Sequence, residues 1–92
     1  MVPTLNRENC CLTVGGQEVS ITPREYTLLA ALEDAHGAVV RTRTLREGVF
    51  GSLWFDKSNL QVYIWRLRQK LEVDPRAPRH LLNVRGFGYR LV

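Results

Sequence analysis

Residues 59–71 read NLQVYIWRLRQKL, and this stretch decides the fold. Its apolar residues recur at intervals of three and four, as on one stripe of an α-helix that faces a core: Leu60, Ile64, Leu67 and Leu71. The opposite side of the same helix is mostly polar: Ser58, Asn59, Val62, Trp65, Arg66 and Gln69. A purely solvated face does not normally carry Val62 and Trp65 beside an arginine. These two side chains therefore require a partner, either from elsewhere in the chain or from outside it.

The N-terminal residues predict a small antiparallel sheet. Residues 11–14 and 18–21 alternate apolar and polar side chains around Gly15 and Gly16, which is typical of a β-hairpin. A weaker strand signal lies at residues 4–6.

Two more helices are predicted between this sheet and residue 59. Residues 22–25 read TPRE, in which the threonine can cap a helix, the proline suits its first position and the glutamate completes a capping box. This helix is expected to run to about Ala35. After a very short strand at residues 39–40, a brief second helix is predicted over residues 43–50 and is ended by Gly51.

A basic hairpin closes the sequence. Residues 81–84 and 89–92 predict two strands, and Arg85-Gly86-Phe87-Gly88 joins them. Two glycines permit a tight tip and the arginine makes it positively charged, so we predict a cationic wing.

The length and composition fit one soluble domain. The chain has 92 residues, so we expect a single domain over residues 1–92, with residues 1–3 as a disordered or translation-start remnant. The longest apolar run, residues 28–32, is far shorter than the ~20 residues of a membrane span, and no signal-peptide pattern is present. Cys10 and Cys11 are neighbours and do not suggest a disulfide framework. We expect a cytoplasmic protein with no membrane partner.

The charge is strongly asymmetric along the chain. Residues 41–92 hold eleven of the thirteen Lys and Arg residues and four of the nine acidic residues, a net charge of +7, whereas residues 1–40 carry −3. This asymmetry favours a surface that faces a polyanion, although a solvated basic surface is an equal alternative on charge alone.

No pattern indicates catalysis. The sequence has no nucleophile motif, P-loop or metal-spaced Cys/His cluster, and His36 and His80 have no acid or nucleophile pattern beside them. Cys10 and Cys11 fit a strand in which one side chain faces inward and the other outward. We therefore expect no catalytic residue, no metal and no cofactor.

Four motifs follow one another in a specific order: ITPREYTLL at residues 21–29, LREGVFG at 45–51, VYIWRLRQKL at 62–71 and VRGFGYRL at 84–91. In this order they resemble the winged helix-turn-helix DNA-binding domain of OmpR/PhoB-type response regulators, from about Cys11 onward. The resemblance implies an α+β fold with an N-terminal antiparallel sheet, three helices and a C-terminal β-hairpin wing.

The resemblance also implies how DNA is bound. The third helix would enter the major groove of double-stranded DNA, where Arg66 matches the base-reading arginine and Val62 the contact to thymine methyl groups. Asn83 and Arg85 match wing positions that touch the backbone and the minor groove, and Gly86 allows close approach. The planar fork of an arginine fits guanine O6 and N7, which agrees with the role of Arg66.

Several positions depart from the family pattern. The family usually carries arginine or another polar residue at Trp65 and arginine at Ser58. It usually has an acid at Gln61 and tryptophan at Phe50. These changes bear on the target sequence and the affinity rather than on the fold.

Cations flanking the third helix are expected to contact phosphates, which position the helix without reading sequence: Arg41, Arg43, Lys57, Arg68 and Lys70. The full set of predicted DNA-contacting residues is Arg41, Arg43, Lys57, Ser58, Asn59, Val62, Trp65, Arg66, Arg68, Gln69, Asn83, Arg85 and Gly86. The resemblance also implies a head-to-tail dimer on DNA and a contact with RNA polymerase through the loop between Phe50 and Lys57.

The sequence thus predicts a transcription regulator that binds double-stranded DNA sequence-specifically, as the output half of a two-component response regulator. The receiver domain of the phosphorelay would either lie outside this chain or not exist. Two alternatives stay open. One is a ToxR-like one-component regulator with the same domain, and the other is a winged-helix protein-interaction module in which Val62 and Trp65 pack on a protein.

Overall fold

The architecture is α+β, with three helices set between two small antiparallel sheets in the described part of the chain. The computed structural model describes residues 3–50 and 57–92, with the backbone alone at residues 49, 50 and 57–59. In chain order the elements are β1 (Thr4–Asn6), β2 (Cys11–Val14), β3 (Gln17–Ser20), α1 (Pro23–Asp34), β4 (Val40–Arg41), α2 (Thr42–Phe50), α3 (Lys57–Leu71), β5 (Leu81–Val84) and β6 (Gly88–Leu91). One sheet has the order β1-β2-β3 and the other the order β4-β6-β5.

The predicted elements are present, with boundaries moved by one or two residues. The weak strand signal at residues 4–6 is confirmed as β1. The last strand begins at Gly88 rather than Tyr89, because Gly88 is in register with both Arg41 and Val84. The expected end of α2 at Gly51 falls outside the described residues, as do residues 1 and 2 of the expected N-terminal remnant.

The start of α1 has the predicted capping box. The Thr22 side chain accepts a hydrogen bond from the Glu25 backbone N–H at 3.2 Å, and the Glu25 carboxylate accepts one from the Thr22 N–H at 2.8 Å. Pro23 occupies the first turn, where a backbone N–H has no helical partner to lose. Two otherwise unpaired backbone donors are thereby satisfied, which fixes where the helix begins.

One apolar core joins all three helices to both sheets. The helical stripe predicted on α3 is confirmed, because its members are buried together with residues from the other elements: Leu12, Leu28, Leu29, Leu32, Leu45, Leu60, Ile64, Leu67, Leu71, Leu81 and Tyr89. Since one side of α3 is committed to this core, its other side is presented at the surface.

A buried ion pair locks α1 to α3. Glu25 is only 1% exposed, and Lys70 Nζ lies 2.8 Å from Glu25 Oε1. A buried carboxylate without a cation would be costly, so Lys70 is held in place by a structural requirement. The structure places the ammonium group of Lys70 against Glu25, and the phosphate contact expected of Lys70 stays a prediction.

The same pair makes stability depend on pH. Burial raises the pKa of the Glu25 carboxyl, but hydrogen bonds from Lys70 and Thr22 outweigh it, so that the pKa is lowered overall. A carboxyl with a lowered pKa in the folded state adds stability above its unfolded pKa of about 4.3, and this stability is lost as the pH falls through the folded pKa. We expect the free energy of unfolding, measured by urea denaturation, to decline below about pH 4.3 in wild type and less steeply in Glu25→Gln. Equal slopes in Glu25→Gln and wild type would contradict this role.

The connection from α3 to β5 is held by a single carboxylate. Glu72 is buried, and its side chain accepts hydrogen bonds from the backbone N–H groups of Arg79, His80 and Leu81 at 2.9–3.2 Å. Because β5 begins at Leu81, these bonds fix the position of the C-terminal hairpin relative to the end of α3.

Candidate nucleic-acid interface

The exposed face of α3 carries the residues that its periodicity predicted. Val62 and Trp65 are 45% and 43% exposed, and Arg66 and Gln69 are exposed beside them. Within residues 3–50 and 57–92, no element covers the two apolar side chains fully, so both stand at the surface of the described structure. The side chains of Lys57, Ser58 and Asn59 lie outside the described residues.

Arg66 is oriented by an aromatic neighbour on the same helix. Its guanidinium carbon lies 5.5 Å from the centroid of the Tyr63 ring, one turn earlier. Such a cation–π contact at a surface is worth about 0.5–1 kcal/mol and limits the conformations of a long side chain. Tyr63 was not among the predicted residues, although its position three residues before Arg66 places the two side chains on the same side of a helix.

The C-terminal hairpin forms the predicted wing. The Phe87 N–H donates to the Val84 carbonyl at 2.9 Å, and Gly86 has a φ of 85°, which favours glycine at the tip. Asn83, Arg85 and Gly86 are exposed there, as their predicted contacts require.

The wing is attached to the start of α2 as well as to β5. β6 pairs with β4, and the Thr42 N–H at the first residue of α2 donates to the Phe87 carbonyl at 3.2 Å. The wing is therefore held at a fixed position relative to the helices rather than projecting as a free loop.

A groove of about 620 Å³ runs between the wing, the start of α2 and the side of α3. Its cationic lining residues are Arg41, Arg43, Arg46 and Arg85. Gln61 and Asn83 add polar groups, and no acidic residue is among the lining residues in the described ranges. Like charges gathered in this way repel one another in the free protein, and an anionic ligand relieves that repulsion.

Two details of this groove differ from the sequence-based expectation. Arg46 was not predicted, although it follows Arg43 by three residues and therefore lies on the same side of α2. Arg43 Nε lies 3.2 Å from Glu47 Oε1. Because both side chains are exposed, this ion pair is weak and is readily broken.

Arg68 does not lie with the exposed face of α3. Its Nε donates to the Leu81 carbonyl at 3.1 Å, and the side chain is partly buried. This bond ties α3 to β5, which gives Arg68 a structural contact, and the phosphate contact expected of it stays a prediction.

The cysteines and histidines lie apart from this face. Cys11 is buried in β2, whereas Cys10 is exposed in the preceding turn with a φ of 51°, so the expectation that both are strand residues is wrong for Cys10. Among the described residues, no group of three His, Cys, Asp or Glu side chains could hold a metal ion. In the same residues, every helix is too short or too polar to cross a bilayer.

Comparison with protein families and curated proteins gives consistent matches. The family described as "Transcriptional regulatory protein, C terminal" matches residues 16–91; it is a family of transcriptional regulators and not of enzymes. A probable transcriptional regulatory protein of Picosynechococcus sp. is 44% identical over 84 residues, which are 90% of this chain and 34% of the relative. The KDP operon transcriptional regulatory protein KdpE of Escherichia coli is 43% identical over 79 residues, 85% of this chain and 35% of the relative. The chain thus spans about a third of the length of these curated relatives.

Solved structures share the fold. The DNA-binding domain of Klebsiella pneumoniae RstA, crystallised in complex with the RstA box, has a TM-score of 0.85 and 26% identity, covering 99% of this chain and 91% of that chain. DrrB of Thermotoga maritima, an OmpR/PhoB homolog, has a TM-score of 0.88 and 22% identity, covering 97% of this chain and 41% of that chain. These likenesses confirm the predicted winged-helix fold.

Proposed function

Because the chain belongs to the family of C-terminal domains of transcriptional regulatory proteins, we propose that it binds double-stranded DNA sequence-specifically and acts as the output domain of a response regulator. The proposal rests on the exposed surface that α3 and the wing form together. An exposed arginine, Arg66, stands on the free face of α3, and a groove with four arginines lies between that helix and the wing.

In this proposal α3 reads the major groove. Arg66 donates to base edges, where its planar fork fits guanine O6 and N7. Val62 and Trp65 supply apolar surface for thymine methyl groups and sugars, which accounts for their exposure. Gln69 lies on the same face and adds a polar contact.

The wing and the groove position the helix. Arg85 and Gly86 approach the narrow minor groove, and Asn83 contacts the backbone beside them. Arg41, Arg43 and Arg46 neutralise phosphates, as do Lys57 and the polar residues Ser58 and Asn59 at the start of α3.

The relatives support this assignment and extend it. The DNA-binding domain of RstA, at 26% identity, was crystallised in complex with the RstA box, so a related protein with the same fold binds its box. By the family resemblance, a receiver domain would control the full protein, and residues 50–57 would contact RNA polymerase. On this proposal, residues 1–92 form one domain that acts in the cytoplasm and performs no catalytic step.

A protein-interaction module is the second candidate, and the exposed Val62 and Trp65 are the observation that favours it. The groove arginines favour DNA instead, because a protein surface seldom offers a regular array of anions. Binding to heparin or to random duplex separates the two, since the interaction module should show little salt-sensitive affinity.

Selection of bound duplexes from a random library tests the proposed function. We expect a defined half-site, with two copies arranged head to tail on direct repeats about 10–11 bp apart, one helical turn of DNA. Recovery of no common sequence would contradict sequence-specific binding. Repeats at arbitrary spacing would contradict the head-to-tail arrangement alone.

Arg66 and Arg85 should have different effects on binding. Arg66→Ala should cost about 1–3 kcal/mol on the selected site, relax selectivity at one or two base positions and barely alter binding to random duplex. Arg85→Ala should weaken both duplexes similarly and reduce the slope of log K against log salt by about one contact. A salt titration on the selected site and on a scrambled duplex measures both effects.

Arg76→Ala is the matched control, because it removes an exposed arginine from the loop after α3. It should bind like wild type. If Arg66→Ala lowers both affinities equally while Arg85→Ala relaxes base choice, the wing reads the sequence and α3 only anchors the domain.

Substitution of Trp65 should weaken DNA binding without changing the stability of the fold. Trp65→Ala should leave the free energy of unfolding within about 0.5 kcal/mol of wild type, because the side chain lies on the exposed face of α3. Its affinity for the selected site should fall, since the indole would no longer pack on the DNA. Leu67→Ala, in the buried stripe of the same helix, should lose about 2–5 kcal/mol of stability. A comparable loss of stability in Trp65→Ala would show that the indole belongs to the core.

A further inference from the structure

The side chain of Phe87 is the most exposed large apolar group on the wing. It is 62% exposed, although its backbone is held on both sides. Its N–H donates to the Val84 carbonyl at 2.9 Å, and its carbonyl accepts from the Thr42 N–H at 3.2 Å. The turn therefore presents an aromatic ring at a fixed place, at the cost of exposing it to water.

The surface around the ring is apolar and continuous with the cationic groove. Val39, Val84 and Phe87 line a shallow depression of about 410 Å³ with Arg41 at its edge. Arg41, Val84 and Phe87 also line the groove that contains Arg85. Apolar and cationic groups thus share one continuous surface.

We infer that Phe87 is a further DNA-contacting residue, whose ring packs against deoxyribose in the wall of the minor groove that the wing enters. The inference rests on the proposed function. The wall of a DNA groove carries both anionic phosphates and the apolar faces of sugars, which matches a surface that combines Arg41 and Arg85 with an aromatic ring. No acid lines the adjoining groove among the described residues, so its charge is complementary to this polyanion.

The contact should differ from that of Arg85 in its response to salt. We expect Phe87→Ala to weaken binding to the selected duplex about five- to tenfold, the effect of burying roughly 40–55 Å² of apolar ring. Because an apolar contact releases no counterions, the slope of log K against log salt should stay at the wild-type value. Phe87→Leu keeps an apolar side chain and should lose about twofold.

Val73→Ala is the control, because Val73 is a fully exposed apolar residue in the loop after α3 and should bind like wild type. Thermal unfolding of Phe87→Ala should match wild type, since the ring is 62% exposed. Wild-type affinity in Phe87→Ala, or a change in salt slope equal to that of Arg85→Ala, overturns the inference while leaving DNA binding intact. Failure of the wild-type domain to bind duplex with any dependence on salt overturns the proposed function itself and the role of Phe87 with it.

Discussion

Glu72→Ala should lower the free energy of unfolding by about 3–5 kcal/mol, measured by urea denaturation. The carboxylate accepts hydrogen bonds from the backbone N–H groups of Arg79, His80 and Leu81. Alanine supplies no acceptor, so these donors lose their partner in a segment where Leu81 is fully buried. A buried donor left without a partner costs about 1–3 kcal/mol, and water can replace only the more exposed contacts.

Two variants test whether the loss comes from these bonds. Glu72→Gln keeps one acceptor oxygen and should lose about half as much stability. Glu47→Ala removes an exposed carboxylate that pairs with Arg43 and should change stability by no more than about 0.5 kcal/mol. A loss below about 1 kcal/mol in Glu72→Ala would show that the loop holds its position without this residue.

Gly88→Ala should destabilise the domain by about 3 kcal/mol, because the backbone of β4 leaves no space for a methyl group where it pairs with β6. A Cβ atom there would collide with the carbonyl oxygen of Val40 and would lie 2.8 Å from Arg41 Cα and 2.9 Å from Thr42 N. All three are backbone atoms and cannot turn aside as a flexible side chain would. Relief of the collision requires β4 and β6 to separate, which also detaches the wing from α2.

Gly48→Ala is the matched control for this substitution. Gly48 lies in α2, and a Cβ there meets nothing within 4 Å. Alanine favours a helix over glycine by about 0.5–1 kcal/mol, so this variant should be slightly more stable than wild type. Equal effects at the two glycines, read from thermal unfolding, would show that the close approach at Gly88 is relieved without separating the strands.

The sequence predicted the features that depend on residues close to one another along the chain. The stripe of α3 follows from helical spacing alone, and its burial implies the exposure of Val62, Trp65 and Arg66 on the other side. The capping box at Thr22 and Glu25 is a pattern within four residues, so it could be predicted from the sequence.

The features that the sequence did not predict depend on partners that are distant in sequence. Lys70 and Glu25 are 45 residues apart, and no local pattern indicates that the capping glutamate also binds a lysine from another helix. The bond between Arg68 and the Leu81 carbonyl could not be predicted either, because a helical wheel gives the direction of a side chain but not the strand beside it. The start of β6 was misplaced by one residue, since its register depends on β4, a two-residue strand with little signal of its own.

The hydrogen bond between Thr42 and Phe87 has a consequence for how a duplex would be selected. The hairpin is tied to α2 through β4 and Thr42, and to α3 through the bonds of Arg68 and Glu72 to Leu81, so the distance between α3 and the wing is set before any ligand arrives. A preorganised pair of contacts loses little conformational entropy on association. A rigid pair of contacts also requires the DNA to adapt to the protein. On the proposed function, two operators with identical contacted bases would therefore differ in affinity. The difference would depend on how easily the base-pair steps between the contacted bases bend and on the width of the minor groove.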